Sequence, residues 1–394
     1  MKVIYVSSLC SKKTYTKLFG DMKHAPGMQA QKYNRLMAEG LAKNEGVEVT
    51  VISSAPVTRE NYGSGKFSCA ADKENNIEYN YVSFSLLPVF KHISIIRNTY
   101  KKCLKMFKEN SKISGEKAAV VCDVLSLSAS YGALRAAKKC NAESVGLITD
   151  LPEYLGISEN KLFKKIYDKV IDMCKSFVLL TEQMNVKINP TGKPYRVIEG
   201  QADINMSEEE NTLDKKFNKK VCIYAGGIEV EYGLKILAEG FAAANIPESE
   251  LWIYGNGSYT DELKEFCKKN PSVIYKGVVP NEEVVEAEQK ASLLINPRPS
   301  SGEFTKYSFP SKNLEYMASG TPVLTTKLPG MPKEYYDHIY IIEEETADGI
   351  SACLKDILSK DGTELFTKGA SAKEFVLKYK NNKTQAGKVL ELLS

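Results

Sequence analysis

Three charged side chains between Asn296 and Pro332 have types and spacing that could bind a phosphate-containing ligand. Residues 291–296 form a short apolar run that predicts a buried strand, and residues 321–325 predict a second one. Between them, Ser311 is placed to cap a helix over residues 312–319, which Gly320 would end. The backbone N–H groups and the positive dipole at such a helix start attract phosphate.

The charged side chains around this predicted helix start suit a nucleoside diphosphate. Arg298 would follow the first strand, Lys312 would lie in the first helical turn, and Glu315 would lie one turn further on. The amides and the two cations would take the diphosphate, and the carboxylate would accept hydrogen bonds from the ribose hydroxyls. Each residue also has an ordinary interpretation, as a solvated lysine, a surface glutamate and a loop-stabilising arginine.

The run from Glu315 to Val323, Glu-Tyr-Met-Ala-Ser-Gly-Thr-Pro-Val, resembles the donor-site signature of retaining GT-B glycosyltransferases of family 4, also called group 1. Where the family pattern carries a further Glu eight residues before Glu315, this chain has Tyr307. A capsule and exopolysaccharide subset with the run Ser-Phe-Pro-Ser-Lys, here Ser308 to Lys312, often lacks that Glu and uses the lysine. The resemblance thus implies donor contacts at Phe309, Pro310, Ser311, Lys312 and Glu315, with Glu303 or Tyr307 replacing the missing carboxylate.

Two further segments resemble the same donor site. Gly226 and Gly227 follow a predicted strand, in the loop where family members commonly carry two cations, which align here with Gly227 and Tyr232. Because both cations are missing, the diphosphate charge would fall on Arg298 and Lys312. Residues Gly277, Val278 and Val279 resemble the segment whose backbone holds the nucleobase edge, often uracil.

Strands and helices alternate along the chain of 394 residues, which is long enough for two domains. The resemblance implies the α/β GT-B fold, in which two doubly wound Rossmann-like domains face a central cleft. We expect an acceptor-binding domain over residues 1–200, a polar linker over 201–219 and a donor-binding domain over 220–379. In this fold the last helix, about residues 380–394 here, crosses back to the N-terminal domain.

The acceptor side of the site is predicted from loops after strands of the first domain. Residues 9–28 form a long predicted loop with His24 and Gly27, which the resemblance places beside the acceptor and the transferred sugar. Asp150 follows another predicted strand, where side chains of open α/β sheets face the crevice. Asp150 is therefore either an acceptor-binding and catalytic candidate, together with Lys312 and Arg298, or a helix N-cap.

Composition and charge narrow the remaining possibilities. The nine cysteines form no Cys-x-x-Cys pair, which is typical of reduced cytoplasmic thiols, and three dispersed histidines predict no metal site. The net charge of +4 is unevenly distributed: residues 1–210 carry 30 Lys and Arg against 23 Asp and Glu. No nucleic-acid motif accompanies this surplus, so no nucleic-acid partner is expected.

Two basic amphipathic segments, residues 89–112 and 161–174, contribute to the positive charge of the first domain. They are either packed helices with solvated faces or surfaces that meet anionic lipid, with Lys101, Lys102 and Lys105 as contacts. The second interpretation predicts a cytoplasmic protein attached peripherally to the inner face of the plasma membrane.

The resemblance implies a retaining, metal-independent hexosyltransferase with no cofactor. We expect it to move a hexose from a nucleotide-sugar, favouring UDP, to a glycan or polyprenyl-diphosphate-linked acceptor in cell-surface polysaccharide synthesis. Two alternatives stay open, a sugar-nucleotide epimerase of the same fold and a non-catalytic donor-binding partner subunit.

Overall fold

The computed structural model of the protein describes residues 1–20, 22, 26, 28–63, 65–113, 118–155, 160–208 and 210–394. The chain divides into two compact units. The first contains residues 1–201 and 382–394, and the second contains residues 202–381. The second unit therefore lies between two parts of the first in sequence.

The first unit is built on an eight-stranded sheet with the strand order β10-β9-β8-β7-β1-β2-β5-β4, parallel except where β4 pairs with β5. In chain order its elements are β1 (Lys2–Ser7), α1 (Lys12–Phe19), α2 (Met28–Ala42), β2 (Glu48–Ser53), α3 (Arg59–Tyr62), β3 (Lys66–Phe67), β4 (Asp72–Glu74), β5 (Ile77–Tyr81), β6 (Phe84–Ser85), α4 (Pro88–Ile113), β7 (Ala118–Asp123), α5 (Leu127–Cys140), β8 (Ser144–Ile148), α6 (Lys161–Met173), β9 (Ser176–Leu179), α7 (Glu182–Ile188) and β10 (Tyr195–Val197). Strands β1, β7 and β8 are almost wholly buried, which explains their continuous apolar runs.

The segment predicted as a long loop after β1 contains the helix α1, which was not expected. Ser11 caps this helix by accepting a hydrogen bond from the Thr14 backbone N–H. The hydroxyls of Ser11 and Thr14 both donate to the Asp72 carboxylate at 2.6 Å. This carboxylate on β4 supplies a long-range contact that sequence periodicity does not reveal.

The second unit is a six-stranded parallel sheet with the strand order β13-β12-β11-β14-β15-β16. In chain order its elements are β11 (Lys220–Gly227), α8 (Leu234–Ala244), β12 (Ser249–Asn256), α9 (Thr260–Lys269), β13 (Val273–Gly277), α10 (Asn281–Lys290), β14 (Leu293–Asn296), α11 (Ser311–Ser319), β15 (Val323–Thr326), β16 (Tyr340–Ile342), α12 (Ala347–Ser359) and α13 (Gly362–Tyr379). Strand order reverses at β11, which pairs with β12 on one side and β14 on the other. The chain thus forms a doubly wound sheet with a topological switch point beside β11.

Residues 202–219 of the predicted linker belong to the second unit and form hydrogen bonds with it. The Phe217 N–H donates to the Lys290 carbonyl at 2.9 Å, and the Asn211 amide donates to the Ser319 carbonyl at 2.7 Å. The Lys216 ammonium donates to the Gln289 carbonyl and to the Thr321 hydroxyl. Two of the polar side chains in this segment, Asn211 and Lys216, thus bind backbone carbonyls of α11 and α10.

The final helix, α14 (Asn382–Glu391), belongs to the first unit and packs on α2. The contact requires Gly40, because a β-carbon there would lie 2.1 Å from the Asn382 carbonyl oxygen. The Asn382 side chain donates to the Leu36 carbonyl, and the Gln385 side chain donates to the Gly200 carbonyl. These buried hydrogen bonds tie the end of the chain to the first unit.

Candidate functional site

The helix α11 is held by its own buried tyrosine against the end of the neighbouring strand β11. Tyr316 is fully buried, and its hydroxyl accepts from the Ala225 N–H at 2.8 Å and donates to the Ala225 carbonyl at 3.3 Å. Lys312 lies one turn before Tyr316 on the same face of the helix. The pair of hydrogen bonds thereby sets Lys312 beside the residues that follow Ala225.

The start of α11 differs from the prediction at one residue. Ser311 is the first helical residue and not the cap, because Pro310 occupies the N-cap position and makes no side-chain capping bond. The expected end is confirmed, since Gly320 adopts a left-handed conformation with φ 79°. The Asn313 N–H donates to the Pro310 carbonyl at 3.0 Å. The N–H groups of Ser311 and Lys312 are those that an anion at this end of the helix could use.

Lys312 reaches across to Gly226 on β11. A β-carbon at residue 226 would lie 3.2 Å from Cε of Lys312 and 2.8 Å from the Tyr224 hydroxyl oxygen. The Tyr224 hydroxyl donates to the Gly227 carbonyl at 2.7 Å. Burial raises the pKa of Tyr224, whereas the nearby Arg298 guanidinium opposes the rise. The side chains of Lys312, Tyr224 and Arg298 thus surround the carboxyl end of β11.

Arg298 lies just after β14, and its guanidinium stacks on two aromatic rings. Its Cζ atom lies 4.5 Å from the centroid of the Tyr232 ring and 5.5 Å from that of Phe304. The Tyr232 ring itself lies on Gly227, where a β-carbon would be 3.1 Å from Cε2 of the ring. Lys312 therefore lies against Gly226, and Arg298 lies over the ring that packs on the adjacent Gly227.

Neither cation is neutralised by the described part of the protein. Within that part, the side chains of Arg298 and Lys312 have no ion pair and no hydrogen bond, although both are half-buried. Neither charge therefore has an anionic partner among the described residues, which leaves both available to a negatively charged ligand. Together with the start of α11, the two cations can bind an anion with several negative oxygens.

The turn after β11 packs closely on the turn after β12. Gly255 has φ 125°, and a β-carbon there would lie 1.9 Å from the Gly226 carbonyl oxygen. A β-carbon at Gly257 would lie 2.2 Å from the Ile228 carbonyl oxygen. The Glu229 carboxylate then accepts from the Ser258 N–H. The glycines let two backbones meet at the carboxyl edge of the sheet, where open α/β sheets bind ligands.

Gly277, Val278 and Val279 lie at the carboxyl end of β13, the edge strand on the other side of β12. Gly277 has φ 78°, and a β-carbon there would meet nothing within 4 Å. The side chain of Val278 is 74% exposed. The backbone of this glycine turn is therefore open on one side, and its role in holding the nucleobase edge stays a prediction.

The predicted sugar-side residues lie around a 3-10 turn, Glu303–Lys306, ahead of α11. Glu303 is exposed on this turn, and Tyr307 is half-buried just after it. The Glu303 carboxylate and the Tyr307 phenol therefore both remain candidates to replace the missing carboxylate of the family pattern. Phe309 is buried, with its ring 5.2 Å from that of Tyr335, and Pro310 is also buried. The Phe309 side chain is therefore part of the core, and only its backbone is left to a ligand.

Glu315 is half-buried on α11, three residues after Lys312 and on the same face of the helix. It has an interaction partner within the described chain, so a ligand would join or exchange an existing contact.

Asp150 is the acceptor-side candidate that the structure describes, and it belongs to the first unit. Asp150 is exposed two residues after β8, ahead of a 3-10 turn at Pro152–Leu155. Leu151, and not Asp150, supplies the carbonyl that accepts from the Tyr154 N–H of this turn. His24 and Gly27 lie outside the described residues.

Sequence reasoning did not include three aromatic residues of the site, Tyr224, Tyr232 and Phe304. Their positions in the sequence could have identified two of them. Tyr224 lies near the end of the predicted strand, and Tyr232 stands where the resembling family carries a cation. It also missed the buried Asn296, whose amide donates to Asn313 at 2.7 Å and links β14 to the first turn of α11.

The described residues also bear on metal binding and on membranes. Among them, no group of three or more His, Cys, Asp and Glu side chains is arranged to hold a metal ion. None of their helices is both long and apolar enough to cross a bilayer.

Comparison with known proteins connects this geometry to a family. Residues 219–360 match the family described as glycosyl transferases group 1. The Bacillus subtilis protein TuaH, named as a teichuronic acid biosynthesis glycosyltransferase, is 29% identical over 146 residues. That alignment spans 36% of this chain and 36% of TuaH, so it covers little more than a third of the relative.

Two solved structures have a fold similar to that of the whole chain. Sucrose-phosphate synthase from Thermosynechococcus elongatus superposes with a TM-score of 0.65 at 15% identity, covering 100% of this chain and 98% of that protein. HepE of Anabaena, crystallised with UDP, superposes with a TM-score of 0.63 at 14% identity, covering 100% and 99%. At these identities the likeness shows the fold alone, which is the α/β GT-B fold with two Rossmann-like domains.

Proposed function

We propose that the protein is a retaining glycosyltransferase that transfers a hexose from a nucleotide-sugar, preferably a UDP-sugar. The observation that carries the proposal is a pair of half-buried cations near the carboxyl end of β11. Lys312 lies against Gly226, and Arg298 lies over the ring of Tyr232 and near Tyr224. A nucleoside diphosphate is the anion that the start of α11 fits best, because Glu315 lies one turn further in for the ribose. The group 1 match over residues 219–360 supports the same conclusion.

The reaction requires no nucleophile from this chain. The bond between the anomeric carbon and the donor phosphate oxygen breaks while the acceptor hydroxyl oxygen bonds to the same face of that carbon. The departing phosphate oxygen takes the acceptor proton. Arg298, Lys312 and the N–H groups of α11 would stabilise the negative charge on the diphosphate as it leaves. Because the cations supply this charge, we propose that the reaction needs no metal ion and no cofactor.

We further propose a glycan or polyprenyl-diphosphate-linked acceptor in cell-surface polysaccharide synthesis. The name of the relative TuaH supports this class of product, and HepE, crystallised with UDP, supports UDP as the nucleotide. Asp150, exposed after β8, is the described side chain proposed to contact the acceptor. Peripheral attachment to the cytoplasmic face of the membrane would place the enzyme where a polyprenyl-linked acceptor occurs.

The donor is tested by a thermal-shift and calorimetric screen of UDP-, GDP- and ADP-sugars. We expect UDP and its sugars to stabilise the protein most. The donor found is then incubated with and without acceptors, and free sugar, epimerised donor and transferred sugar are measured separately. If epimerised donor is found, the protein is an epimerase. If the donor binds but is not turned over, the protein is a donor-binding subunit. Turnover that is lost in EDTA and returns with Mg²⁺ or Mn²⁺ would contradict the metal-free reaction.

A further inference from the structure

The guanidinium of Arg298 is held in an unusual way for a charged group that is half-buried. In the part of the chain that the structure describes, no carboxylate pairs with it and no hydrogen bond holds it. Its positive charge is instead stabilised by two aromatic rings. The Cζ atom lies 4.5 Å from the centroid of the Tyr232 ring and 5.5 Å from that of the Phe304 ring. An arginine stacked on aromatic faces keeps the N–H donors at its edge available to another partner.

We propose that Tyr232 and Phe304 are positioning residues that clamp Arg298 for the diphosphate of the donor, an inference that rests on the proposed function. Stacking attracts the cation through the ring faces and limits its rotation, so less conformational entropy is lost when the ligand binds. A carboxylate partner would instead compete with the phosphate oxygens for the same donors. The clamp thus orients the guanidinium and leaves its N–H donors and positive charge available to the phosphate oxygens.

Both aromatic rings and the Arg298 backbone are themselves held in place. A β-carbon at Gly227 would press on the Tyr232 ring, and a β-carbon at Gly302 would lie 2.8 Å from Cε1 of Phe304. The Thr326 hydroxyl donates to the Arg298 carbonyl. Each ring packs closely on a glycine, and the Arg298 backbone is bonded to β15, so the parts of the clamp are in contact with the surrounding fold.

The backbone on either side of Arg298 is also fixed. Gly233 has φ 82°, and a β-carbon there would lie 2.2 Å from the Pro297 carbonyl oxygen. The Ser300 N–H donates to the Glu345 carboxylate at 2.8 Å. These contacts fix the position of the Arg298 backbone, and the two rings fix the position of its guanidinium.

The test is a double-mutant cycle measured by calorimetry with UDP, inorganic pyrophosphate and uridine. Arg298→Ala should weaken UDP binding by about tenfold or more. Tyr232→Leu should weaken UDP and pyrophosphate by about three- to tenfold, the range that one cation–π contact supplies, and leave uridine unchanged. Tyr232→Phe keeps the ring and should bind UDP within about twofold of wild type. In the Arg298→Ala background, Tyr232→Leu should have no further effect.

Phe304→Leu provides an independent variant if Tyr232→Leu does not fold, and it should show the same loss for pyrophosphate but not for uridine. Equal losses for uridine and pyrophosphate, or a Tyr232→Leu effect that persists without Arg298, would overturn the clamp. Wild-type protein that binds UDP while Tyr232→Leu and Phe304→Leu bind it equally well would also overturn it. Wild-type protein that binds no nucleoside diphosphate would overturn the proposed function itself.

Discussion

The side chain of Lys312 lies against the backbone of Gly226, which is distant in sequence but adjacent at the carboxyl edge of the sheet. The absence of a β-carbon at Gly226 makes this contact possible, because the nearest atom of Lys312, Cε, is only 3.2 Å from the position such a carbon would take. The hydroxyl oxygen of Tyr224 lies closer still, at 2.8 Å. The side chain of a helix residue therefore packs directly on a glycine of the strand.

The Gly226→Ala variant should lose about tenfold in UDP affinity, because the added methyl group displaces the flexible end of Lys312 or the Tyr224 hydroxyl. The fold should survive, since Gly226 does not have a positive φ. Calorimetry with UDP measures the loss. Gly362→Ala is the matched control, because its β-carbon would meet Leu213 at an ordinary 3.6 Å. Wild-type affinity in Gly226→Ala would show that this contact does not matter for binding.

The Lys312→Ala variant should weaken UDP binding by about 2–4 kcal/mol and abolish most transfer, because it removes a charge-assisted contact from a partly desolvated site. Lys235→Ala on α8 is the control, because Lys235 is exposed in the same unit. Titration calorimetry on both variants provides the comparison. Unchanged UDP affinity in Lys312→Ala would refute its assignment to the diphosphate.

The Glu315→Gln variant should weaken UDP by about tenfold, since a neutral amide is a poorer acceptor for ribose hydroxyls than a carboxylate. The loss should be smaller for 2′-deoxyuridine diphosphate, which lacks one of the two hydroxyls. Parallel calorimetric titrations measure both ligands, with the exposed Glu282→Gln as the control. A variant that binds UDP as tightly as wild type would remove Glu315 from the ribose site.

The stability of the protein should depend on pH through Lys216. Burial lowers the pKa of Lys216 to about 7, whereas a lysine in the unfolded chain titrates near 10.4. Between about pH 7 and pH 10 the unfolded chain holds the extra proton, so the free energy of unfolding rises with pH in this window. It stops changing above the unfolded pKa and below the folded one.

The Lys216→Met variant should lose this rise, which urea midpoints at pH 7 and pH 9.5 would reveal. The neighbouring Lys215→Met is the control, because Lys215 pairs with Glu210 on the surface and should keep the wild-type rise. If the free energy of unfolding rises equally for Lys216→Met and wild type between pH 7 and pH 9.5, Lys216 does not titrate in this interval.

The first unit should bind anionic vesicles through the start of α4. Val89, Phe90 and Ile93 are 69%, 61% and 56% exposed, on a helix with seven Lys and Arg and one Glu. Of the three lysines first predicted as contacts, Lys101 and Lys105 are exposed, but Lys102 is half-buried and burial lowers its pKa. Apolar insertion and positive charge together give attachment that salt weakens.

Sedimentation with vesicles containing phosphatidylserine should recover the wild type at low salt and release it at high salt. Because each cation near the surface contributes roughly 1 kcal/mol, the double reversal Lys101→Glu/Lys105→Glu should reduce binding by at least about tenfold. Phe90→Ser should weaken binding at all salt concentrations. The control reversal Lys138→Glu/Lys139→Glu on α5 has the same change in charge. If the wild-type protein does not sediment with these vesicles at low salt, the acceptor is expected to be soluble.

The sequence by itself determined the local elements around the site. The apolar runs at β14 and β15, the glycine that ends α11 and the spacing of Lys312 to Glu315 are all properties of neighbouring residues, so propensity and periodicity suffice to predict them. The same local rules failed where a distant partner decides the outcome. Helix α1 is anchored by Asp72 on β4, and Asn211 and Lys216 of the predicted linker donate to carbonyls of α11 and α10.

Only the tertiary structure decided how the cations are arranged. The pairing of β11 with β14, strands far apart in the chain, brings the segment after β14 beside the turn after β11. Arg298 consequently stacks on Tyr232, Lys312 lies on Gly226, and Phe309 turns its ring into the core. These relationships depend on which strands pair and on how closely side chains pack across the sheet edge. Single-sequence patterns report the preference of each segment, whereas contacts between segments arise from the packing of the whole unit.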